Sequence, residues 1–258
     1  MQYGNSLKSV WGGGGKYVHK PGFTLAEVLI TLGIIGVVAA MTLPTLVAKY
    51  KKKVIATRVK QAYSIISNAI KLSEAENGEA KYWNSNLSSN GIKNTELFLN
   101  KYILPYLNNA IFCGDGLGDD VVEKCGATVS IVGKTYILPN GVSAAFVSAG
   151  SRGIALETNI LYVTLDANGK DAPNIHGSDK FFFVLSPNKG FIPFGGDANI
   201  SDREDILRGI NVPNDGETSF IACKQIKSNN NDAYYRHGCT LLLMFDGWEF
   251  KDDYPFIF

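Results

Sequence analysis

The chain has 258 residues, of which 45% are hydrophobic and 19% are charged. This length and composition predict one folded domain of ordinary size in addition to any membrane segment. The formal net charge is +1, and the first 22 residues hold three lysines and no acidic residue, so the rest of the chain is nearly neutral. A neutral surface does not attract polyanions, and no nucleic-acid partner is expected.

An uncharged run of 21 residues extends from Val28 to Ala48. As a helix rising about 1.5 Å per residue, it would cross roughly the 30 Å hydrocarbon core of a bilayer. A removable secretory signal is the alternative, but its apolar region is usually about 7–15 residues long and ends at a cleavage site of small residues. The run is longer than that and offers a poor site, so it predicts a membrane helix. A carboxylate, Glu27, stands directly before it.

The stretch KPGFTLAEVLITLGIIGVVAAMTLPTL, residues 20–46, resembles the cleavage and methylation signature of prepilin-type proteins. These proteins are the subunits of type IV pili and the pseudopilins of type II secretion systems. The resemblance implies that a prepilin peptidase cuts after Gly22 and methylates the new amino terminus at Phe23. It also implies an assembly role for Glu27, and it places Pro44 where many of these helices bend.

The charge on Glu27 has a physical explanation within this resemblance. A carboxylate in a membrane costs a few kcal/mol, but cleavage after Gly22 would create an ammonium at Phe23, one helical turn away. Opposite charges in a low dielectric offset each other. In the family the partner is the terminus of a neighbouring subunit. The alternative is an ordinary anchor with Glu27 among the lipid headgroups.

A second helical pattern follows the lysines at positions 49 and 51–53. Apolar residues recur there at steps of three and four, which is typical of one apolar helix face: Ile55, Val59, Ala62, Tyr63, Ile66, Ala69 and Ile70. The pattern predicts a continuous helix of about 50 residues from Phe23 to near Asn77, ended at Gly78. The expected segments are therefore a leader (1–22), a transmembrane or filament-core helix (23–48), its amphipathic continuation (49–77) and an extracytoplasmic head (78–258).

The head is expected to be mainly strands after one short helix. The stretch NTELFLNKYILPYLN, residues 94–108, predicts a helix capped by Asn94 or Thr95 and ended before Pro105. Residues 127–148 predict successive strands broken at Gly133 and at Asn140–Gly141, and residues 160–166 and 180–186 predict two more strands. The fold class is therefore predicted to be α+β, with an antiparallel sheet packed on the long helix.

Four cysteines lie beyond the apolar segment, and their even number is typical of disulfides in an oxidising compartment. The local pairs Cys113–Cys125 and Cys223–Cys239 are favoured over the crossed connectivities, and buried free thiols are a further alternative. Charge counting alone would place the head inside the cell, because more lysines follow the apolar segment than closely precede it. The cysteines and the family resemblance favour a head outside the cytoplasm, on a single-pass protein of the bacterial inner membrane.

One loop of the head, residues 166–183, holds oxygen ligands that make calcium conceivable. Its glycine stands at the fourth place rather than the sixth, and no glutamate closes the loop as an EF-hand requires. A turn stabilised by the side chains of Asp166 and Asn168 is favoured, and no cofactor is expected. The scattered histidines give little support for a zinc site.

Catalytic motifs occur only as near misses. The sequence GKT at residues 133–135 lacks the first glycine of a phosphate-binding loop, and AGSRG at residues 149–153 lacks the first glycine of a nucleophile elbow. His176 and His237 lie beside polar turn residues, where surface or capping roles are expected. No enzymatic activity is therefore expected.

The sequence thus predicts a membrane-inserted subunit that assembles through its N-terminal helix into a pilus or a secretion pseudopilus. The expected partners are copies of itself, related minor pilins or pseudopilins, a prepilin peptidase and the inner-membrane assembly platform. The alternative is a membrane-tethered extracytoplasmic enzyme or binding domain.

Overall fold

The computed structural model describes residues 22–83, 91–115, 133–148, 160–169, 171–196, 200, 202–214, 217–224 and 232–256. Contacts divide the chain into two units, Met1–Leu46 and Val47–Phe258. The first helix, α1, extends over Leu25–Asn77 and contributes residues to both units.

The predicted long helix is confirmed, and α1 is 53 residues long. It ends where predicted, directly before Gly78, whose φ of +79° lies in the left-handed region that glycine adopts without strain. It begins two residues later than predicted, at Leu25. Pro44 lies inside α1, and the bend expected there stays a prediction.

In the first unit, the large apolar side chains of α1 are exposed, for example Leu29, Ile30 and Ile35 at 60–63%. In the described part of the chain, α1 is the one helix long and apolar enough to cross a membrane, and none of its most apolar window is buried. Exposed apolar surface of this extent marks a segment that contacts lipid or other protein chains.

In the second unit, one face of α1 is buried, and the predicted spacing is confirmed at six of its seven positions. The buried residues are Ile55, Ala56, Val59, Ala62, Ile66, Ala69, Ile70 and Ser73. The seventh predicted position, Tyr63, is partly buried, and its ring lies 5.3 Å from the rings of both Phe191 and Trp248. The helix is also fastened by hydrogen bonds, since Arg58 Nη1 donates to Ala167 O at 3.0 Å and Tyr63 Oη donates to Phe191 O at 3.2 Å.

Among the described residues, six antiparallel strands form the main sheet in simple chain order. They are β1 Ile111–Asp115, β2 Lys134–Ile137, β3 Ser143–Ser148, β4 Leu161–Asp166, β5 Lys180–Ser186 and β6 Gly190–Pro193. This sheet, together with α1, confirms the predicted α+β class. The strands predicted at 160–166 and 180–186 are confirmed as β4 and β5, whereas the segment predicted at 127–132 lies outside the described residues.

Both faces of the sheet are covered, as β5 shows by being buried at every position. Phe181 and Phe183 point to the core shared with α1, whereas Phe182 and Val184 belong to a cluster with Phe194 and Ile221. The elements after the sheet are α3 Arg203–Arg208, the hairpin β7 Ile210–Asn214 with β8 Glu217–Ile221, and α4 Asp232–Phe245. The sequence analysis predicted none of these C-terminal elements.

The boundaries predicted for the short head helix are wrong. The helix α2 covers Gly91–Phe98 and so begins before Asn94 and Thr95. It continues as a π-helical turn at Leu99–Ile103 and a 3-10 turn at Leu104–Tyr106, which contains Pro105. Proline fits there because it stands in the first positions of the new turn, where no intrahelical N–H bond is lost. Thr95 is buried and its hydroxyl accepts from Ser148 N at 3.0 Å, so it holds the end of β3 instead of capping α2.

The disulfide Cys223–Cys239 confirms one predicted pair, and it joins the end of β8 to α4 with 4.4 Å between the Cα atoms. Both cysteines are fully buried. Cys113 is buried in β1, but Cys125 lies outside the described residues, so the pairing of these two stays a prediction.

Truncation of the buried face of α1 tests this packing. Ile66→Ala, at a site only 1% exposed, is expected to lower the free energy of unfolding of the head by about 2–5 kcal/mol. Leu72→Ala, on the same helix but 55% exposed, is the control and should change it by about 0.5 kcal/mol or less. Denaturant unfolding of the detergent-extracted protein measures both, and equal effects would contradict the described face.

Candidate functional site

The start of α1 is built by a reciprocal pair of side chains, Thr24 and Glu27. Thr24 stands before the first helical residue, and its O accepts the first helical hydrogen bond, from Val28 N at 3.2 Å. Its hydroxyl oxygen accepts from Glu27 N at 3.2 Å, and Glu27 Oε2 accepts from Thr24 N at 2.7 Å. This arrangement is a capping box, which satisfies two of the N–H groups that a helix start leaves without partners.

The carboxylate of Glu27 accepts a second hydrogen bond, because the Thr24 hydroxyl donates to Oε2 at 2.8 Å. Oε2 accepts both of these bonds. Within the described residues, the other oxygen, Oε1, makes no hydrogen bond or ion pair. The Glu27 side chain therefore points toward the N-terminus of its own chain. Its Oε1 oxygen can accept a hydrogen bond from a further donor.

Gly22 and Phe23 lie outside the helix. Residues 22–24 have no regular secondary structure, and the Phe23 side chain is 90% exposed. A Cβ added at Gly22 would meet no atom within 4 Å, so nothing in the described chain explains a glycine at this position. The peptide bond between these residues is open to solvent, and its cleavage stays a prediction from the family resemblance.

The sequence analysis missed Thr24. The signal was present, because the sequence TLAE at residues 24–27 is the S/T-x-x-E pattern of a capping box directly before an apolar run. Thr24 and Glu27 lie three residues apart, which is the spacing that brings N-cap and N3 side chains together. Glu27 was interpreted through its charge alone.

In the head, the predicted turn at Asp166 is confirmed. Asp166 Oδ1 accepts from Gly169 N at 2.8 Å and from Asn168 N at 3.3 Å, and Asn168 Nδ2 donates to Asp171 O at 3.0 Å. Both oxygens of Asp179 also accept from backbone N–H groups, each at 2.7 Å. Asp166 Oδ1 and both oxygens of Asp179, which were candidates for calcium, are thus engaged by the backbone. Among the described residues no group of three or more acidic, histidine or cysteine side chains is arranged to hold a metal ion.

Asp166 is nonetheless an unusual carboxyl group. It is fully buried and lies opposite Lys180 in the pairing of β4 with β5, and its Oδ2 makes no hydrogen bond to any described residue. Burial raises the pKa of Asp166 to about 6, although the positive charge of Lys180 acts in the opposite direction. The folded protein therefore holds a proton on Asp166 at pH values where the unfolded chain has released it.

This raised pKa predicts a pH dependence of stability. Because the folded-state pKa lies about two units above the unfolded value, stability should fall as pH rises from about 4 to about 6, by about 3 kcal/mol in total. Asp166→Asn keeps an oxygen acceptor for the turn and removes the titrating group. The free energy of unfolding of the mutant should therefore rise relative to that of the wild type as pH increases over this range. Urea unfolding at several pH values measures the difference, with the exposed Asp252→Asn as control. A difference between wild type and Asp166→Asn that stays constant from pH 4 to 7 would refute the assignment.

The near-miss motifs have structural roles in the described chain. A Cβ at Gly133 would lie 2.3 Å from Phe146 O, so the close approach of the neighbouring strand requires glycine. Lys134 is buried and pairs with Asp115 at 2.8 Å and Glu96 at 3.1 Å. The sequence AGSRG, residues 149–153, lies outside the described residues.

The surface role expected for His237 is wrong. Its side chain is buried, its ring is stacked on Phe182 at 4.4 Å between centroids, and it lies 5.1 Å from the ring of His176. Burial, with a smaller effect of His176, holds the pKa of His237 well below its usual value. His237 is thus a neutral core residue, next to the disulfide in sequence. A position beside polar residues in the sequence does not reveal that a helix carries the side chain inward.

Comparison with known proteins divides the chain at nearly the same place as its internal contacts. Residues 19–43 match the model of the prokaryotic N-terminal methylation motif, the prepilin-type signature. Residues 45–258 match the model of a family of unknown function, DUF6613. No curated protein and no solved structure matches the chain. The chain therefore belongs to the DUF6613 family and carries an N-terminal prepilin-type methylation signature.

Proposed function

We propose that the chain is a structural subunit of a type IV pilus-like filament or a type II secretion pseudopilus. In this proposal a prepilin peptidase removes residues 1–22, Phe23 becomes the methylated amino terminus, and the N-terminal part of α1 joins copies of the chain into a helical filament. The observation that carries the proposal is the methylation motif at residues 19–43, in a chain whose first helix is long and apolar enough to span a membrane.

The side chains of the first unit support assembly through α1. Apart from Glu27, residues 25–46 carry no charge, and their large apolar side chains are exposed. Before assembly, the lipid tails of a bilayer would keep these apolar side chains out of contact with water. In a filament, the same side chains of neighbouring subunits would cover one another. One segment can thus serve as membrane anchor and as filament core without refolding.

Glu27 supplies a contact that can fix the register between subunits. The capping box satisfies Oε2 and leaves Oε1 without a partner in the described chain. The ammonium that cleavage creates at Phe23 of a neighbouring subunit would provide a charged donor for it. A charge pair of this kind is strong in a low dielectric and tolerates few alternative positions, so it favours one stagger of the helices over others.

The remaining partners and the topology follow from this proposal. They are a prepilin peptidase, related minor pilins or pseudopilins, and an inner-membrane assembly platform. The buried disulfide Cys223–Cys239 supports a head in an oxidising compartment outside the cytoplasm. The lysines after residue 48 favour the opposite orientation by charge counting, but a disulfide requires oxidation whereas the charge rule is a statistical bias. The signature favours a structural subunit rather than an enzyme.

Processing is the first expected outcome. In cells with an active prepilin peptidase, the mature chain should begin at N-methylated Phe23, because the resemblance to prepilin-type proteins implies a cut after Gly22. Intact-mass measurement of membrane-extracted protein, followed by N-terminal peptide sequencing, tests this. Deletion of the peptidase gene is the control and should restore the full mass. A mature chain that retains residues 1–22 would refute the proposed function.

Assembly is the second expected outcome. Glu27→Gln should leave insertion and cleavage largely intact, because glutamine also closes a capping box and is cheaper than a carboxylate in lipid. It should severely reduce filament formation, since an ammonium buried without its partner costs about 3–5 kcal/mol at each joint, more than a hundredfold in association.

Sheared-filament yield, normalised to processed protein in the membrane, measures this effect. Glu204→Gln, at an exposed position of the head, is the matched control and should assemble normally. Normal filaments from Glu27→Gln would reduce Glu27 to a residue that closes a helix cap and nothing more.

A further inference from the structure

We propose that Thr24 is a positioning residue for processing: its cap starts α1 at Leu25 and thereby keeps the Gly22–Phe23 bond out of the helix. This inference rests on the proposed function, since it concerns the peptide bond that the peptidase would cut. It adds a requirement that the methylation motif does not state, namely that the helix must begin immediately after the cleaved bond.

The geometry at the helix start carries the inference. Residues 22–24 are not helical, the helix begins at Leu25, and Val28 N makes its first bond with Thr24 O. The Thr24 hydroxyl and the Glu27 carboxylate occupy the N–H groups of Glu27 and Thr24, respectively. In a helix extended toward the N-terminus, those two N–H groups would instead bond the carbonyl oxygens of Phe23 and Lys20. The capping box therefore competes directly with extension of α1 across the Gly22–Phe23 bond.

Hydrolysis requires the carbonyl of Gly22 to be free. Water adds to the Gly22 carbonyl carbon, the bond to Phe23 N breaks, and the products are a carboxylate on Gly22 and an amine on Phe23. If α1 extended past this point, the Gly22 carbonyl oxygen would accept from Ala26 N and would be unavailable to the donors that stabilise a tetrahedral intermediate. With α1 beginning at Leu25, this carbonyl lies outside the helical hydrogen-bond ladder.

The surroundings of a membrane helix make the cap more important than it would be in water. In water, N–H groups at an uncapped helix start bond solvent, and the start frays. Near the hydrocarbon region an N–H group without a hydrogen bond is costly. The N–H groups of an uncapped start then gain partners if the helix adds a turn toward the N-terminus. Loss of a cap of typical strength shifts the equilibrium between a helix that begins at Leu25 and a helix that continues across the Gly22–Phe23 bond roughly fivefold, in favour of the longer helix. Cleavage should slow by a similar factor if the Gly22–Phe23 bond is cut only while it lies outside the helix.

The test compares substitutions at position 24 that distinguish the effect of helix capping from the effect of side-chain shape. Thr24→Val has nearly the shape of threonine but cannot cap, whereas Thr24→Ser, Thr24→Asn and Thr24→Gly differ in shape and are good N-cap residues. Thr31→Val is the matched control, because the Thr31 hydroxyl donates to Val28 O, at 2.9 Å, within the body of α1. Pulse-chase labelling in cells with active prepilin peptidase gives the rate of leader removal for each variant.

The expected result is a roughly fivefold slower cleavage of Thr24→Val, with near-normal rates for the three capping variants and for Thr31→Val. A second readout is independent of the peptidase. In detergent micelles, the Cα chemical shifts of Gly22 and Phe23 in Thr24→Val should move toward helical values, and those of Thr24→Ser should not.

Two outcomes would overturn the inference, and they differ from a failure of the proposed function. Wild-type cleavage rates in Thr24→Val, or rates that follow side-chain size instead of capping ability, would remove Thr24 from processing while leaving the subunit proposal intact. Absence of cleavage in the wild type itself would refute the proposed function, and the inference with it.

Discussion

The carboxylate of Glu27 at the edge of an uncharged helical segment is the constraint on which the account of this protein depends. A carboxylate in apolar surroundings must accept hydrogen bonds or meet a positive charge. The chain meets part of this need within itself, since Thr24 supplies two donors to one oxygen at 2.7 and 2.8 Å. In the proposed filament, a neighbouring subunit would supply the donor for the other oxygen, Oε1, which has no contact in the described chain. The same contacts define where α1 begins. In the proposed function, this one pair of side chains would therefore connect the helix start with processing and assembly.

The single helix α1 presents two different surfaces because its sequence changes pattern, not because its backbone does. Up to Leu46 its apolar side chains are exposed on all sides, which suits lipid or a bundle of identical helices. From Ile55 the apolar residues keep to one face, which packs on the aromatic residues of β5 and β6 within the second unit. The hydrogen bonds of Arg58 and Tyr63 to loop and strand carbonyls fasten this part of the helix to the head. The head thus holds this part of the helix by one face.

The sequence predicted those features that follow from periodicity and from local turn chemistry. The face of α1, its end at Gly78, the strands β4 and β5, and the turn at Asp166 all follow rules that act over a few residues. Three failures have other causes. Thr95 looks like a cap but is needed by the distant Ser148, and Pro105 begins a new helical turn after a π-helical segment. For α4 no prediction was made, and its run CTLLLMF packs around the disulfide and bonds the sheet through Thr240, whose hydroxyl accepts from Phe182 N at 2.7 Å. Contacts between residues far apart in the sequence determine the structure of such segments, and local sequence patterns do not reveal these contacts.

The pairing of Glu27 across subunits is the central claim, and a cryo-electron microscopy reconstruction of the assembled filament tests it most directly. The account predicts a core of packed α1 helices in which the Glu27 carboxylate lies within about 4 Å of the Phe23 amino nitrogen of a neighbouring subunit. A filament in which Glu27 contacts only Thr24 of its own chain, with the Phe23 terminus of every neighbour elsewhere, would contradict it.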